Sequence, residues 1–152
     1  MSELSSSLTD VQIRQFRMPD YDAVMETWEI CKLPSKPSGR DSREKIEKEI
    51  TKDTAFFLVA TLEDKVIGTV LATNDGRKGW INRLAVLPAY RHQGIAKMLL
   101  EKAESHLYNL DLEIIACLIE NDNLTSMDFF GKAGYKKHTE ITYFSTRKHQ
   151  DV

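Results

Sequence analysis

The sequence predicts a mixed α/β fold of the α+β type, with a mostly antiparallel central sheet of about seven strands and four helices on its faces. Seven short stretches alternate apolar with polar residues or are rich in β-branched and aromatic residues, as strands are. Four further stretches carry helical spacing or helix-capping residues. Tight turn signals join three consecutive strands, so those strands are expected to pair antiparallel, while a later crossover helix makes the sheet mixed.

The chain is expected to begin with a strand and a helix. In residues 11–17, Val11 and Ile13 alternate with polar residues, which indicates a half-buried strand. The Pro-Asp pair that opens residues 19–29 is typical of a first helical turn, so a helix is predicted there.

A loop and a second helix follow. Residues 31–40 contain two prolines and a glycine, a composition that excludes a long helix. Asp41 or Ser42 can cap the next helix, which is predicted to run to about Lys52 and is so highly charged that most of it should be exposed.

The middle of the chain predicts three strands in succession. Residues 55–62 form an apolar run rich in aromatic and β-branched residues, and residues 63–65 are a tight connection to a second run, residues 66–73. The Asn-Asp-Gly sequence at residues 74–76 is a strong turn signal, and a third strand is predicted at residues 80–87.

The second half predicts a long helix at residues 94–110, followed by a strand at residues 113–119. Apolar residues in the helix recur at helical spacing and should form one buried stripe. The stripe consists of Ala96, Leu99, Leu100, Ala103, Leu107 and Leu110.

A last helix and two closing strands complete the predicted order, β-α-α-β-β-β-α-β-α-β-β. Asn123 can cap a helix that runs to about residue 132, and Gly134 is placed to end it as a C′ glycine. Residues 135–138 and 141–146 have the composition of strands.

The length of the chain limits the number of domains, and its net charge limits the kinds of partner that it can bind. The 152 residues suit one domain, interpreted as residues 11–152 behind a short flexible lead-in at residues 1–10. The net charge of −2 gives no basic excess for nucleic acid. No apolar run approaches the roughly 18 residues of a membrane span, so no membrane partner is expected.

Cysteine and histidine content exclude further classes of protein. The two cysteines form no C-x-x-C pair, and the four histidines show no metal-ligand spacing, so no metal is expected. The N-terminus lacks the basic and apolar regions of a signal peptide. Two free thiols fit a reducing compartment, and a cytoplasmic location is predicted.

The most informative stretch of the chain is residues 81–97 (INRLAVLPAYRHQGIAK). A strand runs through a short loop into a helix, whose first turn has free backbone N–H groups and a partial positive charge. Gly94 and Ala96 keep the approach to the backbone open, and Arg91 and Lys97 add positive charge. This arrangement suits a pyrophosphate.

The same stretch resembles the acetyl-CoA signature of the GNAT superfamily of N-acetyltransferases. Arg91, Gly94 and Ala96 follow a strand ending L-A-V-x-P and match the consensus Gln/Arg-x-x-Gly-x-Gly/Ala. The resemblance implies that backbone amides hold the CoA pyrophosphate and that the preceding strand pairs with pantetheine.

A second stretch, residues 118–135, resembles a later motif of that family, N-x-x-A-x-x-x-Y-x-K-x-G-F/Y. The residues in register are Asn123, Ser126, Phe130, Lys132, Gly134 and Tyr135. One short motif alone is weak, but two at the expected separation and on the right element types are specific. The resemblance covers residues 80–136 closely, and the order of elements extends it to the whole chain.

The resemblance implies acetyl-CoA as co-substrate and a set of residues that bind it. They are Leu84, Ala85, Val86, Arg91, His92, Gln93, Gly94, Ile95, Ala96, Lys97, Asn123 and Phe130.

The usual catalytic pair of the family is missing. An alkylamine with a pKa of ~10.4 needs help in losing a proton at neutral pH. The position of the family's tyrosine acid holds Phe130, and the strand position that often holds a glutamate base holds Asn82. The catalytic candidates are Glu120, which could equally be a surface carboxylate, Asn82 and Tyr143, with Tyr90 as a further acid.

Three functions remain open at this stage. The leading hypothesis is an acetyl-CoA-dependent N-acetyltransferase that acts on a small-molecule or peptide amine, with a homodimer compatible with a domain of this size. The second is a non-catalytic acyl-CoA-binding or sensing module, since both usual catalytic groups are absent. The third is a binder of another phosphate ligand such as a nucleotide, ranked last because neither nucleotide-binding glycine motif is present.

Several other residues have ordinary interpretations. Cys117 is expected to be a small buried apolar residue, Trp28 to lie partly in the core near the acceptor cleft, and His92 to be solvated rather than catalytic. Three arginines are either surface charges or partners for an acidic group on the acceptor, namely Arg40, Arg77 and Arg83.

Overall fold

A computed structural model of the chain describes residues 10–152 and contains a five-stranded sheet with helices on both faces. The strands are β1 (Gln12–Gln15), β2 (Ala55–Leu62), β3 (Lys65–Asn74), β4 (Lys78–Val86) and β5 (Ile114–Ala116). The helices are α1 (Tyr21–Ile30), α2 (Arg43–Glu49), α3 (Ile95–Asn109) and α4 (Leu124–Lys132). Single 3₁₀ turns, Met18–Asp20 and Pro88–Tyr90, precede α1 and follow β4.

The sheet has the strand order β1-β2-β3-β4-β5, and its last pairing opens a cleft. β1 to β4 pair antiparallel, and for β2, β3 and β4 this is the pairing that the turn signals predicted. β5 returns after α3 and pairs parallel with β4 over three residues, ending at Trp80 opposite Ala116. Beyond that point the two strands diverge, so the edge of β4 from residue 81 onward is not covered by β5.

The two hairpin turns follow from local chemistry. Glu63 and Asp64 both have positive φ, +51° and +65°, which is the backbone of a two-residue turn that matches the twist of β2 and β3. In the β3–β4 turn, the carboxylate of Asp75 accepts hydrogen bonds from the N–H groups of Arg77 and Lys78, and Gly76 takes a φ of +85°.

One hydrophobic core lies on each face of the sheet. On the first face α3 buries Ile95, Leu99, Leu100, Ala103 and Leu107 against β2, β3 and β4. The predicted stripe faces this core, with Ala96 half-buried against it, except at its end, where Leu110 is 44% exposed. Leu110 is the C-cap, so its backbone has left the helix and its side chain no longer falls on the buried face.

The second core holds α1 and α2 against the other face. Trp28 is fully buried beneath β3 and β4, and it stacks on Phe57, which itself stacks on Phe16. Ile46 anchors the short, charged α2 at 2% exposure. Ser42 caps α2 by accepting a hydrogen bond from the N–H of Lys45. Both α1 and α2 are thus fixed to the sheet, and Trp28 belongs fully to the core.

The predicted count of about seven strands was wrong, although the mixed, mostly antiparallel class is confirmed. Residues 135–138 and 141–146 form no ladder with any strand of the described chain, and Tyr143 and Phe144 are 65% and 88% exposed. Alternating apolar and polar residues give a segment only a tendency to form a strand. A strand also needs a neighbouring strand for its backbone hydrogen bonds. The predicted strand at residues 113–119 shortens for the same reason, because β4 turns away from it after Ala116.

Of the predicted lead-in, residues 1–9 lie outside the described residues. None of the helices within residues 10–152 has the length and apolarity needed to cross a membrane.

Candidate active site

A cavity of about 660 Å³ occupies the gap where β4 and β5 diverge, a volume typical of small-molecule sites. One wall is the stretch of β4 from Ile81 to Leu84, and the other is residues 117–120, which continue the chain beyond β5. The rest of the lining comes from β3, the α1–α2 loop, the end of α2, one face of α4 and Arg147.

The N-terminus of α3 carries unpaired backbone donors. The first helical hydrogen bond runs from the N–H of Met98 to the carbonyl of Gly94 over 3.0 Å, so the N–H groups of residues 95–97 have no acceptor within the helix. No side chain of the described residues caps this end. Gly94 has a φ of +83°, and no atom lies within 4 Å of where a Cβ would stand. The site is therefore open to an anion, as the sequence predicted.

Arg91 ties this loop to the strand that precedes it. Its Nε donates a hydrogen bond of 2.8 Å to the carbonyl of Val86, the last residue of β4. His92 takes a φ of +63° and, like Gln93 and Lys97, is exposed. The structure thus brings the predicted loop residues to the end of the strand that forms one wall of the cleft.

The predicted strand residues contribute in different ways. Leu84 is half-buried and lines the cavity, while Ala85 and Val86 are each 6% exposed and pack into the two cores. Because the side chains of Ala85 and Val86 are buried, only their backbone groups are available to bind a ligand.

A strained bulge shapes the β4 wall. Thr69 pairs with Ala85, but Leu71 pairs with Asn82, so two residues of β4 oppose one of β3. Arg83, within the bulge, has a φ of +55°, which is uncommon for a residue with a side chain. Nothing in the local sequence signals this bulge.

The side chain of Arg83 joins the α1–α2 loop to β4. Its Nη2 donates to Oδ2 of Asp41 at 2.8 Å, its Nη1 donates to the carbonyl of Pro34, and the guanidinium lies 4.6 Å from the centre of the Trp28 ring. Asp41, 5% exposed, also accepts the N–H of Lys36 at 2.8 Å. Arg83 is therefore neither a plain surface charge nor free for an acidic acceptor.

The other two arginines differ from Arg83. Arg40 lines the cleft, and its Nε lies 3.5 Å from Asp41 without hydrogen-bond geometry. Arg77 is exposed in the β3–β4 turn.

Two of the three predicted catalytic residues meet in this cleft. Asn82 lines it and donates its amide to the hydroxyl of Thr73 at 3.1 Å, and Glu120, an exposed residue in the segment beyond β5, lines the opposite wall. Tyr143 is exposed outside the lining, and Tyr90 lies in the 3₁₀ turn after β4 with Lys65 over its ring. No tyrosine occurs among the cavity's lining residues in the described chain.

The cleft contains a carboxylate that the sequence analysis missed. Glu49, the last residue of α2, lines the cavity and is half-buried. Burial is the main cause that raises the pKa of its carboxyl above the ordinary value, and the nearby negative charge of Asp41 adds to it. Glu49 sits in a predicted charged, exposed helix and outside both motifs, so only the packing of α2 reveals it.

α4 begins and ends as predicted. The side chain of Asn123 accepts a hydrogen bond from the N–H of Ser126 at 3.1 Å, and Asn123 also lines the cleft. Gly134 has a φ of +95°, and the N–H of Tyr135 bonds the carbonyl of Phe130 at 2.9 Å, which closes a Schellman end.

Aromatic residues fix the α4 side of the cavity. Phe130 is 7% exposed and meets Phe129 and Tyr135 edge to face. The hydroxyl of Tyr135 donates to Glu104 at 2.7 Å, and burial raises its pKa well above the ordinary value. Tyr135 is thus committed to α3 and is unsuited to be an acid for the cleft.

Cys117 lines the cleft as a protonated thiol. Burial raises its pKa to about 11, so almost none of it is thiolate at neutral pH. No group of three histidine, cysteine or acidic residues within residues 10–152 is arranged to hold a metal ion.

Comparison with known proteins gives a consistent result. Residues 13–135 match the family model described as the acetyltransferase (GNAT) family. A curated acetyltransferase of Photorhabdus laumondii subsp. laumondii is 33% identical over 138 residues, which cover 90% of this chain and 95% of that protein.

Solved structures share the fold at lower identity. The PaiA N-acetyltransferase of Thermoplasma acidophilum, in complex with coenzyme A, has a TM-score of 0.75 and 22% identity over 83% of this chain and 89% of that one. An aminoglycoside antibiotic 6′-N-acetyltransferase of Acinetobacter haemolyticus has a TM-score of 0.75 and 20% identity over 91% of this chain and 99% of that one.

Proposed function

The chain belongs to the acetyltransferase (GNAT) family, and from that premise we propose that it transfers an acetyl group from acetyl-CoA directly to an amine of a small molecule or peptide. One observation carries the proposal. An uncapped helix N-terminus with three unpaired N–H groups lies at the end of the strand that walls a cleft of suitable volume.

The residues at the start of α3 fit a pyrophosphate. The N–H groups of residues 95–97 supply the donors, the open space at Gly94 allows close approach, and Arg91 and Lys97 add positive charge. When bound, acetyl-CoA supplies a thioester, which activates the acetyl group toward an amine.

The β4 edge and α4 suit the pantetheine arm. From residue 81 onward β4 has no strand of the described chain on its β5 side, so backbone groups along that edge are free to pair with an extended amide chain. Asn123 and Phe130 lie on the other side of the same cleft, where Phe130 offers an apolar surface.

Proton transfer from the acceptor requires a base. A protonated alkylamine has a pKa of ~10.4 and no free electron pair for attack at neutral pH. The cleft holds two carboxylates for this role, Glu120 and Glu49, with Asn82 placed to orient a water molecule or the acceptor. No tyrosine acid is required, because a thiol with a pKa of ~8.5 can leave as the thiolate.

The first test is the unfolding midpoint with and without acetyl-CoA, with ATP and NAD as controls. Binding at about 100 times Kd is expected to stabilise the protein by roughly 2.7 kcal/mol, a rise of several degrees in Tm. A panel of polyamines, aminoglycosides, amino acids and peptides is then screened for thiol release. No shift with saturating acetyl-CoA would overturn the proposal.

A second candidate, a non-catalytic acyl-CoA-binding module, is favoured by one observation. Phe130 stands where the family usually has a tyrosine, and no tyrosine of the described residues lines the cavity. A thermal shift with acetyl-CoA, combined with no thiol release for any amine in the panel, would select this function.

A further inference from the structure

We propose that Glu49 is the carboxylate that binds the ammonium group of the acceptor and takes its proton. The proposal rests on the proposed function, amine acetylation. It adds a substrate-contacting residue on α2, outside the two motifs that the family resemblance covers.

The position of Glu49 is set by the packing of α2. Ser42 caps the helix, Ile46 inserts into the core beside Trp28 and Phe57, and the C-terminal turn then presents Glu49 to the cleft. Asn82, on the β4 wall, lines the same cavity. The side chain therefore sits on a rigid element that faces the diverging edge of β4.

The carboxylate of Glu49 has no hydrogen-bonded or salt-bridged partner within the described chain, and Lys52 and Arg83 act on it only through their charge. It accepts no hydrogen bond there and forms no ion pair, whereas Asp41 in the same cleft is already bonded to Arg83 and to a backbone N–H. A half-buried carboxylate without a partner is unfavourable, so a cationic ligand group is its natural complement. Glu120, by contrast, is exposed to water.

Several charged groups face Glu49 from the surrounding elements. Burial and the charge of Asp41 raise its pKa, while Lys52 and Arg83 act in the opposite direction. Arg40, Glu120 and Arg147 line the same cavity. A base whose pKa is raised toward the working pH takes a proton from an amine more readily.

The proton transfer balances in both atoms and charge. One N–H bond of the ammonium breaks and an O–H bond forms on Glu49, which leaves the nitrogen electron pair free. That pair forms the new N–C bond while the C–S bond breaks, and the second nitrogen proton neutralises the thiolate. Glu49 returns its proton to water, so each turnover releases one proton, one thiol and one acetylated amine.

The test compares Glu49→Gln and Glu49→Asp with Glu47→Gln as a matched control. Glu47 lies two residues away on the same helix, is exposed and does not line the cleft. With the best amine of the panel, thiol release is measured as a function of pH, together with the KM for acetyl-CoA and the Tm. Glu120→Gln is measured in parallel.

Glu49→Gln is expected to lower kcat/KM for the amine about 100-fold or more and to abolish the acidic limb of the pH profile. Glu49→Asp should recover part of the rate, and Glu47→Gln should match the wild type. Wild-type activity with an unchanged acidic limb in Glu49→Gln, or loss of that limb in Glu120→Gln instead, would overturn the assignment. A lower Tm with an unchanged pH profile would make Glu49 merely structural.

If the proposed function itself is wrong, the wild-type protein would give different results. A wild-type protein that binds no acetyl-CoA, or that releases no thiol with any amine, would overturn acetyl transfer and the role of Glu49 together. A wild type that turns over while Glu49→Gln is unaffected would overturn the Glu49 assignment alone.

Discussion

The indole Nε1 of Trp28 on α1 donates a hydrogen bond of 3.0 Å to the hydroxyl of Thr69 on β3. The same hydroxyl donates a hydrogen bond of 2.7 Å to the carbonyl of Arg83 in the β4 bulge. Both Trp28 and Thr69 have 0% exposure. This buried chain of hydrogen bonds links α1 to the edge of β4 that lines the cleft, and it holds Arg83 in a left-handed conformation that costs about 1 kcal/mol or more.

The first prediction concerns Thr69→Val, which keeps the shape of the side chain and removes its hydroxyl. Two buried polar groups lose their partner, so stability should fall by roughly 1–3 kcal/mol. As the bulge relaxes, kcat should fall more than the KM for acetyl-CoA rises. Urea unfolding and steady-state kinetics test both effects. Thr69→Ser keeps the hydroxyl and should retain the kcat of the wild type. Equal kcat values for the Thr69→Val and Thr69→Ser variants would contradict a positioning role for Thr69.

The second prediction concerns Gly94→Glu. A side chain at a φ of +83° is strained, and the carboxylate would fill the open space with negative charge beside the unpaired N–H groups. The rise in Tm with acetyl-CoA should disappear. Gly76→Glu is the matched control, because Gly76 also has positive φ (+85°) and open space but lies in the β3–β4 turn. Equal loss in both variants would indicate a general effect on folding.

The third prediction concerns the buried ion pair between Asp41 and Arg83, whose side chains are 8% and 15% exposed. Asp41→Asn leaves the guanidinium without its counter-charge and should lower stability by about 3 kcal/mol. Urea denaturation of both single variants and the double variant Asp41→Asn/Arg83→Met measures the coupling. The double variant should be more stable than the sum of the single effects predicts, and strict additivity would show that the pair is not coupled.

The fourth prediction concerns Cys117, whose pKa burial raises to about 11. In a Cys31→Ser background, alkylation of Cys117 by iodoacetamide should be slow at neutral pH and accelerate up to about pH 11, because only the thiolate reacts. Cys117→Ala should retain acetyl transfer. Loss of turnover in that variant with unchanged acetyl-CoA binding would instead indicate a covalent acyl-enzyme.

The fifth prediction concerns Asp20, which receives both Nη groups of Arg14 at 2.8 Å and the N–H of Arg17 at 2.9 Å. These bonds, that from Arg14 above all, hold the pKa of Asp20 below its ordinary value. The carboxylate therefore stabilises the fold above its unfolded pKa of ~3.9, and the contribution is lost as the pH falls through the lower folded pKa. The Tm difference between wild type and Asp20→Asn should shrink on acidification, and a constant difference would contradict the ion pair.

Features that depend on neighbouring residues along the chain could be predicted from the sequence alone. Gly94 at the start of α3, Asn123 and Gly134 at the ends of α4, and the turn at Glu63 and Asp64 were readable because caps and tight turns depend on a few consecutive residues. The uncapped end of α3 follows from the same local rules, whereas the family was indicated by the resemblance of two motifs and shown by the match of residues 13–135 to the family model.

Contacts between residues that are distant in the sequence could be seen only in the folded structure. The predicted closing strands failed because composition cannot supply a partner strand. The positions of Glu49 and Thr69 in the fold could not be predicted from the sequence. Glu49 lies in a charged helix and Thr69 in an apolar strand, and neither belongs to a motif. Contacts such as Trp28 with Thr69, 41 residues apart, arise when whole helices pack on the sheet. Local preferences favour each element, but the relative placement of elements depends on the shared core, and so does the chemistry of the cleft.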